Sequence, residues 1–282
     1  MILEPILVKL SLITNTNANI LAQELARITK EINSTQLKIT SGLKINGPQD
    51  DSASFSIATR LRGDRSGLNA VKLALSNGET VVDTAVIGAN AIKDILTEIK
   101  SKVVQGNQAS LDAATRTSLN DDITSLLNQI TTTVGSSEFD NINLIKTDAS
   151  TMNILSSVKG SVIRVSAQIL DVTALGVNSI SVLTSASAAT ALTNINTAIT
   201  LATDRTAALT SSAKGVEIQS DFTSSLINVF DEGIGKIVNS NLAEESAKLQ
   251  ALQIQQELAV QGLSIANSVP NLILKMFGET KK

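Results

Sequence analysis

One register runs through this chain for so long that it dictates most of what the chain can become. From Ile57 it steps through Leu61, Asp64, Leu68, Val71, Leu75, Gly78, Val82, Ala85, Ala89, Ile92, Leu96, Ile99 and Val103, and only Asp64 is polar. Alternating steps of four and three keep these positions on one helical face, the seam along which opposed helices interlock their side chains. A pattern this long exceeds ordinary globular helices and predicts a coiled-coil rod. A second seam precedes it: Leu21, Leu25, Ile28, Ile32, polar Thr35, Ile39 and Gly42.

Composition points the same way. Hydrophobic residues make up 43% of the 282, but aromatics only 2%: five Phe, with no Trp and no Tyr. Packing therefore falls to Ala, Ile, Leu and Val, which favours thin helix-on-helix seams over a thick core. Charged residues are 17% and the net charge is −3. Such a surface suits contacts between many identical copies and gives little grip on a phosphate backbone. Without Trp or Tyr the usual platforms for stacking bases are also missing, so no nucleic-acid partner is expected. Cys and His are absent, which removes thiol nucleophiles, thiolate metal sites and every triad that needs an imidazole base. The expectation is a non-enzyme with no catalytic, metal or cofactor site.

Further along, the seam breaks between Gly106 and Leu111, and Asp112 opens a shorter helix carrying Leu119, Ile123, Leu126, Ile130 and Val134. Its return alongside the long helix predicts an antiparallel hairpin. After Gly135 come Ile142–Ile145, Met152–Leu155 and Val162–Val165, short β-branched runs between polar turns, which read as a small β region. Helical register resumes near Ala188 and runs to Ile237. A last helix after Asn239-Ser240-Asn241 carries two apolar stripes. One is Leu249, Leu252, Ala259, Leu263, Ala266; the other is Ala251, Ile254, Leu258, Ile265, Leu272. A helix with two apolar faces has two sets of neighbours: the chain's own N-terminal helix for one, something outside the subunit for the other. The fold class expected is mainly α, an elongated antiparallel coiled-coil rod of N- and C-terminal segments, with a small β-containing segment at its distal tip.

Two segments bear on targeting. MILEPILVKL carries Glu4 and Pro5, lacks a basic start and a small-residue cleavage site, and makes a poor signal peptide. Leu249 to Leu274 has the length of a membrane span with Glu257 and no other charge before Lys275, but Gln250, Gln253, Gln255, Gln256, Gln261, Asn267 and Asn271 would each bury an amide in hydrocarbon. No membrane insertion is expected.

The stretch SGLKINGPQDDSASFSIATRLRGD (residues 41–64) interrupts the helices with a Gly-Pro pair and two aspartates. It resembles the N-terminal signature of bacterial flagellins, a Ser-Gly-Leu-basic-Ile-Asn run followed by Asp-Asp. SLITNTNANILAQELARITKEINSTQLKIT upstream is similar to the flagellin N-terminal helix, SSEFDNINLI to the family's link from helix to β region, and SAKLQALQIQQELAVQGLSIANSVPNLILKMF to its C-terminal helix, Gln-Gln pair, Ala-Asn and Val-Pro included.

The resemblance implies a structural subunit of the flagellar filament, self-assembling into a helical polymer for swimming and lying outside the cell. It implies export by the flagellar type III apparatus without a cleaved signal peptide. Its partners would be other copies of itself, an export chaperone, the filament cap and hook-associated proteins. The alternative is a hook–filament junction protein, which shares the terminal helices. The implied domains are residues 12–45 with 242–278 as an inner coiled coil, 46–140 with 188–241 as an outer helical rod, and 141–187 as a small β-containing tip. Subunit contacts fall on Leu21, Leu25, Ile28, Ile32, Ile39, Leu249, Leu252, Ile254, Leu258, Leu263 and Ile265. The joint falls on Gly42, at a seam position of the first helix, Gly47, freeing the backbone to turn, Pro48, at the first position of a new helix, and Asp50 and Asp51 in that helix's first turn.

The chain departs from the family at both an end and a surface. Residues 1–11 precede or only touch the point where the resemblance begins, and read as an N-terminal extension: an added arm or, the preferred reading, a start codon assigned too far upstream. In flagellins seen by the vertebrate innate receptor the long outer helix carries a Leu-Gln-Arg-Val-Arg-Glu-Leu run. The matching positions here read LTEIKSKVV, with Glu98 in place of an Arg, Lys100, and Lys102 in place of a Leu. A reversed charge and an ammonium against an apolar contact imply weak receptor activation.

Overall fold

The computed structural model describes residues 15–278; the extension expected over residues 1–11 lies outside them. Five helices and a two-stranded antiparallel sheet follow in order: α1 (Thr16–Ser41), α2 (Ser52–Gly106), α3 (Ala113–Ser136), β1 (Met152–Leu155), β2 (Val162–Val165), α4 (Ser185–Val238) and α5 (Leu242–Gly278). The mainly α class with a small sheet is the one expected. The chain divides into two compact units, Met1–Leu61 with Glu232–Lys282, and Arg62–Asp231.

The second unit holds the larger core. Along α2 the heptad positions from Leu68 to Val103 are all buried, and from Val71 onward they pack with Leu119, Ile123, Ile130 and Val134 of α3 and Ile195, Ala202, Leu209 and Val216 of α4. The register fails at its lower end. There, inside the first unit, Ala58 takes the buried position (0% exposed) and Ile57 faces out (45%), because the side chain that fits against Ile45, Ile234 and Val238 of that unit is the small one.

Asp112 caps α3 by accepting from the Thr115 amide at 2.7 Å. Hydrogen bonds from the Thr115 hydroxyl and then its amide hold the Asp112 carboxyl below the usual aspartate range. Between α2 and α3 the buried Arg116 guanidinium donates to the carbonyls of Gly106, Gln108 and Val182. Gly106 is the last residue of α2, so Arg116 serves a carbonyl that the helix itself cannot pair.

The expected β runs Met152–Leu155 and Val162–Val165 form strands, which pair antiparallel with Met152 opposite Val165 through Leu155 opposite Val162. Ile142–Ile145 does not form a strand. Asp140 and Asn141 both take positive φ, 51° and 60°, and Phe139 and Ile142 exchange both backbone hydrogen bonds around them, the two-residue turn that demands such residues. Beyond it the buried Asn143 accepts from the amides of Ile145 and Lys146 and donates to the Val134 carbonyl. Those amides are taken up by a side chain and have no ladder to join.

The β-bearing segment packs on the helices of its own unit. Within its unit it runs along α2. A Cβ built on Gly67 would lie 2.8 Å from Val158 Cγ1, one on Gly78 2.8 Å from Ile154 Cγ1, one on Gly88 2.9 Å from Ser137 Cβ, and one on Gly106 2.8 Å from Val182 Cβ. Four glycines thus let the segment rest directly on the α2 backbone, and Gln219 of α4 donates to the Ser156 carbonyl at 3.1 Å. Burying Ile154, Val165, Leu170 and Val182 against the helices is favoured over an apolar hairpin standing in water.

Candidate subunit interface

In the first unit α1 and α5 pack against each other along one face. Ile28 and Ile32 of α1 meet Leu252 and Ala259 of α5 in a buried cluster, flanked by Leu25 and Leu249. Leu21, Ile39 and Leu263 are half-buried, and Thr35 is buried in the seam. Among the predicted contact residues the structure brings together Leu25, Ile28, Ile32, Leu249 and Leu252, with Leu21 beside Gly262 of α5. It leaves Ile254, Leu258 and Ile265 outside.

Those three belong to the second stripe. Ile254 and Leu258 are each 60% exposed, Ile265 66% and Leu272 65%. Their spacing places them on one face of α5, away from the face used by Leu252 and Ala259, with Val260 and Val269 exposed nearby. On α1, Ile20 and Leu37 are exposed as well. A monomeric protein seldom leaves so regular an aliphatic row in water.

Two polar devices fix the pair, and sequence reasoning missed both. Asn15 caps α1 with its side-chain oxygen on the Ala18 amide at 3.0 Å, while its Nδ2 donates to the Ala266 carbonyl at 2.8 Å. Ala266 lies four residues before Pro270, which sits inside α5 and has no N–H for that carbonyl. The signal in the sequence was the Val-Pro pair inside an otherwise helical pattern. The second device is Lys38, 3.8 Å from Glu245.

At the joint every predicted residue is placed differently in detail. Gly42 does not sit in the seam. It ends α1 in the left-handed region at φ 70°, its N–H returned to the Lys38 carbonyl, a conformation glycine adopts without a Cβ penalty. Residues 42–44 then pair with 238–240: Lys44 N donates to the Val238 carbonyl at 2.8 Å and Ser240 N to the Gly42 carbonyl at 2.9 Å. Gly47 does not take positive φ. Pro48 lies in the turn before α2, not at its first position, since the helix starts only at Ser52. Asp50 is not in the helix either; one carboxylate oxygen accepts from Asn46 N at 2.8 Å and Gly47 N at 3.2 Å. Asp51 caps α2 by accepting from Ala53 and Ser54. The Ser54 hydroxyl, and after it the Ser54 amide, hold the Asp51 carboxyl below its ordinary range. The predicted first-turn carboxylates are replaced by a cap and a turn clamp because two residues are needed to close the turn at Pro48.

On the α2 surface Glu98 is exposed, and Lys100 and Lys102 are half-buried. Lys102 Nζ lies 2.7 Å from Asp122 of α3, whose carboxylate raises the lysine's pKa by hydrogen bonding and charge. Among the described residues no group of acidic side chains is arranged to hold a metal ion, and no helix is long and apolar enough to cross a membrane.

Among the described residues the helix pair is thus closed on one face and open on another. Residues 12–148 match the model of the bacterial flagellin N-terminal helical region, and residues 192–277 match that of the C-terminal helical region. Flagellin FljO of Caulobacter vibrioides is 34% identical over 268 residues, covering 95% of this chain and 98% of that one. A flagellin of Brucella melitensis is 31% identical over 280 residues, covering 95% and 99%. A putative flagellar hook-associated protein from Vibrio parahaemolyticus shares the fold, with a TM-score of 0.56 at 15% identity over 67% of this chain and all of that one.

The chain belongs to the bacterial flagellin family. It is a structural subunit of the flagellar filament, and the hook–filament junction reading is not favoured, since family models and relatives of near-full coverage are flagellins.

Proposed function

We propose that the α1–α5 pair is the assembly element of this flagellin, with the exposed α5 row of Ile254, Leu258, Ile265 and Leu272 seated against neighbouring copies. The observation that carries this reading is the row itself, more than half exposed at every position although its spacing is that of a seam. A contact between two different faces of identical subunits propagates as a helix when its rotation does not close into a ring. In the filament, residues 12–45 and 242–278 form the inner coiled coil. Export proceeds through the flagellar type III apparatus, with a chaperone covering the C-terminal helix beforehand, and the cap and hook-associated proteins bound the polymer at its ends.

Leu258→Asp and Ile265→Asp test the row. Each places a carboxylate in an apolar contact without touching the α1-facing side, at an expected cost of about 3 kcal/mol per interface. Elongation from filament seeds, followed by sedimentation and electron microscopy, is expected to fail while the helical circular dichroism of the monomer is unchanged. Normal growth of both variants contradicts the proposal.

Glu98, Lys100 and Lys102 bear on a second property, that of the α2 surface. With Lys102 already paired to Asp122, the apolar contact expected of that position is lost, and weak activation of the vertebrate flagellin receptor follows. A cell reporter responding at ordinary flagellin doses contradicts this.

A further inference from the structure

The joint contains an Asn-Gly pair, Asn46-Gly47, and α2 contains a second, Asn77-Gly78. We infer that Asn46 is a self-modification site, where the side-chain amide is lost through attack by the Gly47 backbone nitrogen and Asp50 takes the proton from that nitrogen. The inference rests on the joint alone and is independent of how the subunits assemble.

Several observations on the joint converge. Asn46 lies outside any helix, in the turn between α1 and α2. A glycine follows it, so no side chain shields the attacking nitrogen. One oxygen of the Asp50 carboxylate, Oδ2, accepts from Gly47 N at 3.2 Å and from Asn46 N at 2.8 Å, which puts a base within reach of the proton that must leave. Asn46 Nδ2 donates to the Leu43 carbonyl at 3.2 Å, which steadies the amide that departs. Asn77-Gly78 has the same two residues without the same freedom. It lies in the interior of α2, with Gly78 buried beneath Ile154, and the helical backbone holds its nitrogen in the ladder.

The step balances as follows. The Gly47 N–Asn46 Cγ bond forms and the Asn46 Cγ–Nδ2 bond breaks. The Gly47 amide proton passes to Asp50 and from there to the departing amide nitrogen, which leaves as ammonia. The product is a five-membered imide. Solvent water then opens the ring at Cγ, giving aspartate, or at the Asn46 backbone carbonyl, giving isoaspartate with the chain rerouted through the side chain. Nothing is oxidised or reduced. Either product sets a new carboxylate close to that of Asp50, and the isoaspartate also lengthens the turn.

The full-length chain, incubated at neutral and mildly alkaline pH, is digested and its peptides resolved by mass. The two Asn-Gly sites are scored for conversion of amide to acid, and isoaspartate is read by enzymatic methylation. Asn46 is expected to convert at least about tenfold faster than Asn77, whose reaction waits on local opening of the helix. Asp50→Asn is expected to slow Asn46 by about tenfold or more. Gly47→Ala, which the joint accommodates because no atom lies within 4 Å of the added Cβ and φ is not positive, slows it by steric shielding in a chain that folds normally. Equal rates at Asn46 and Asn77, or an unchanged Asn46 rate in Asp50→Asn, overturns the inference.

Discussion

Asn15 uses one amide for two ends of the chain: its oxygen caps α1 and its nitrogen serves the carbonyl that Pro270 leaves free. Asn15→Asp separates the two roles. The cap survives and even gains charge at a helix N-terminus, but the Ala266 carbonyl loses its donor, at a cost of about 1 kcal/mol. The expected result is a lower thermal midpoint of the assembled filament, read by light scattering, with α1 still formed; an unchanged midpoint contradicts the shared role. Arg116 makes the same kind of argument for the second unit. Its planar fork reaches three carbonyls that one ammonium cannot serve together. Arg116→Ala is expected to lower the unfolding free energy by about 3 kcal/mol in urea titration, with Arg116→Lys recovering only part. Neither residue was legible in the sequence. A cap at Asn15 and a charge at Arg116 look ordinary until the partner carbonyls, distant in sequence, are known.

Helices and strands were legible wherever periodicity was long or turn chemistry strong. The α2 seam from Leu68 to Val103 is buried as its spacing requires, and β1 and β2 fall on the expected residues. Periodicity gives the face but not the size of the partner, so it chose Ile57 where packing takes Ala58. It also gives no hint that the segment after α3 is cradled by glycines, because in a heptad reading Gly78 looks like a lost knob. The glycines divide into two kinds that make opposite predictions. Gly63 faces open space and Gly63→Ala is expected to stabilise by about 0.5–1 kcal/mol through helix propensity alone. Gly78→Ala gains the same propensity but drives a methyl into Ile154, and overpacking of about 1–3 kcal/mol makes the net effect a loss. Chemical denaturation of both variants decides it, and a stabilised Gly78→Ala would mean the segment does not rest on α2 as described.

For the molecule as a whole, the family and the mainly helical class were legible from the ends of the chain, where sequence pattern and signature coincide. Among the described residues one α5 stripe packs on α1 and the other stays exposed, the face we propose neighbouring copies cover. Among the described residues, burial between α1 and α5 rests on a few aliphatic side chains, too little at about 25 cal/mol per Å² to hold two long helices firmly. The core around α2, α3 and α4 is far larger. Incomplete ends and a complete middle are what a subunit finished by its neighbours requires. Backbone hydrogen exchange, measured on dilute monomer and on assembled filament of the same chain, tests this most directly. Residues 15–41 and 242–270 are expected to exchange rapidly in the monomer and to become protected in the filament, while the core of residues 62–231 is protected in both. Protection of the two end segments already present in dilute monomer, and unchanged on assembly, would contradict the account.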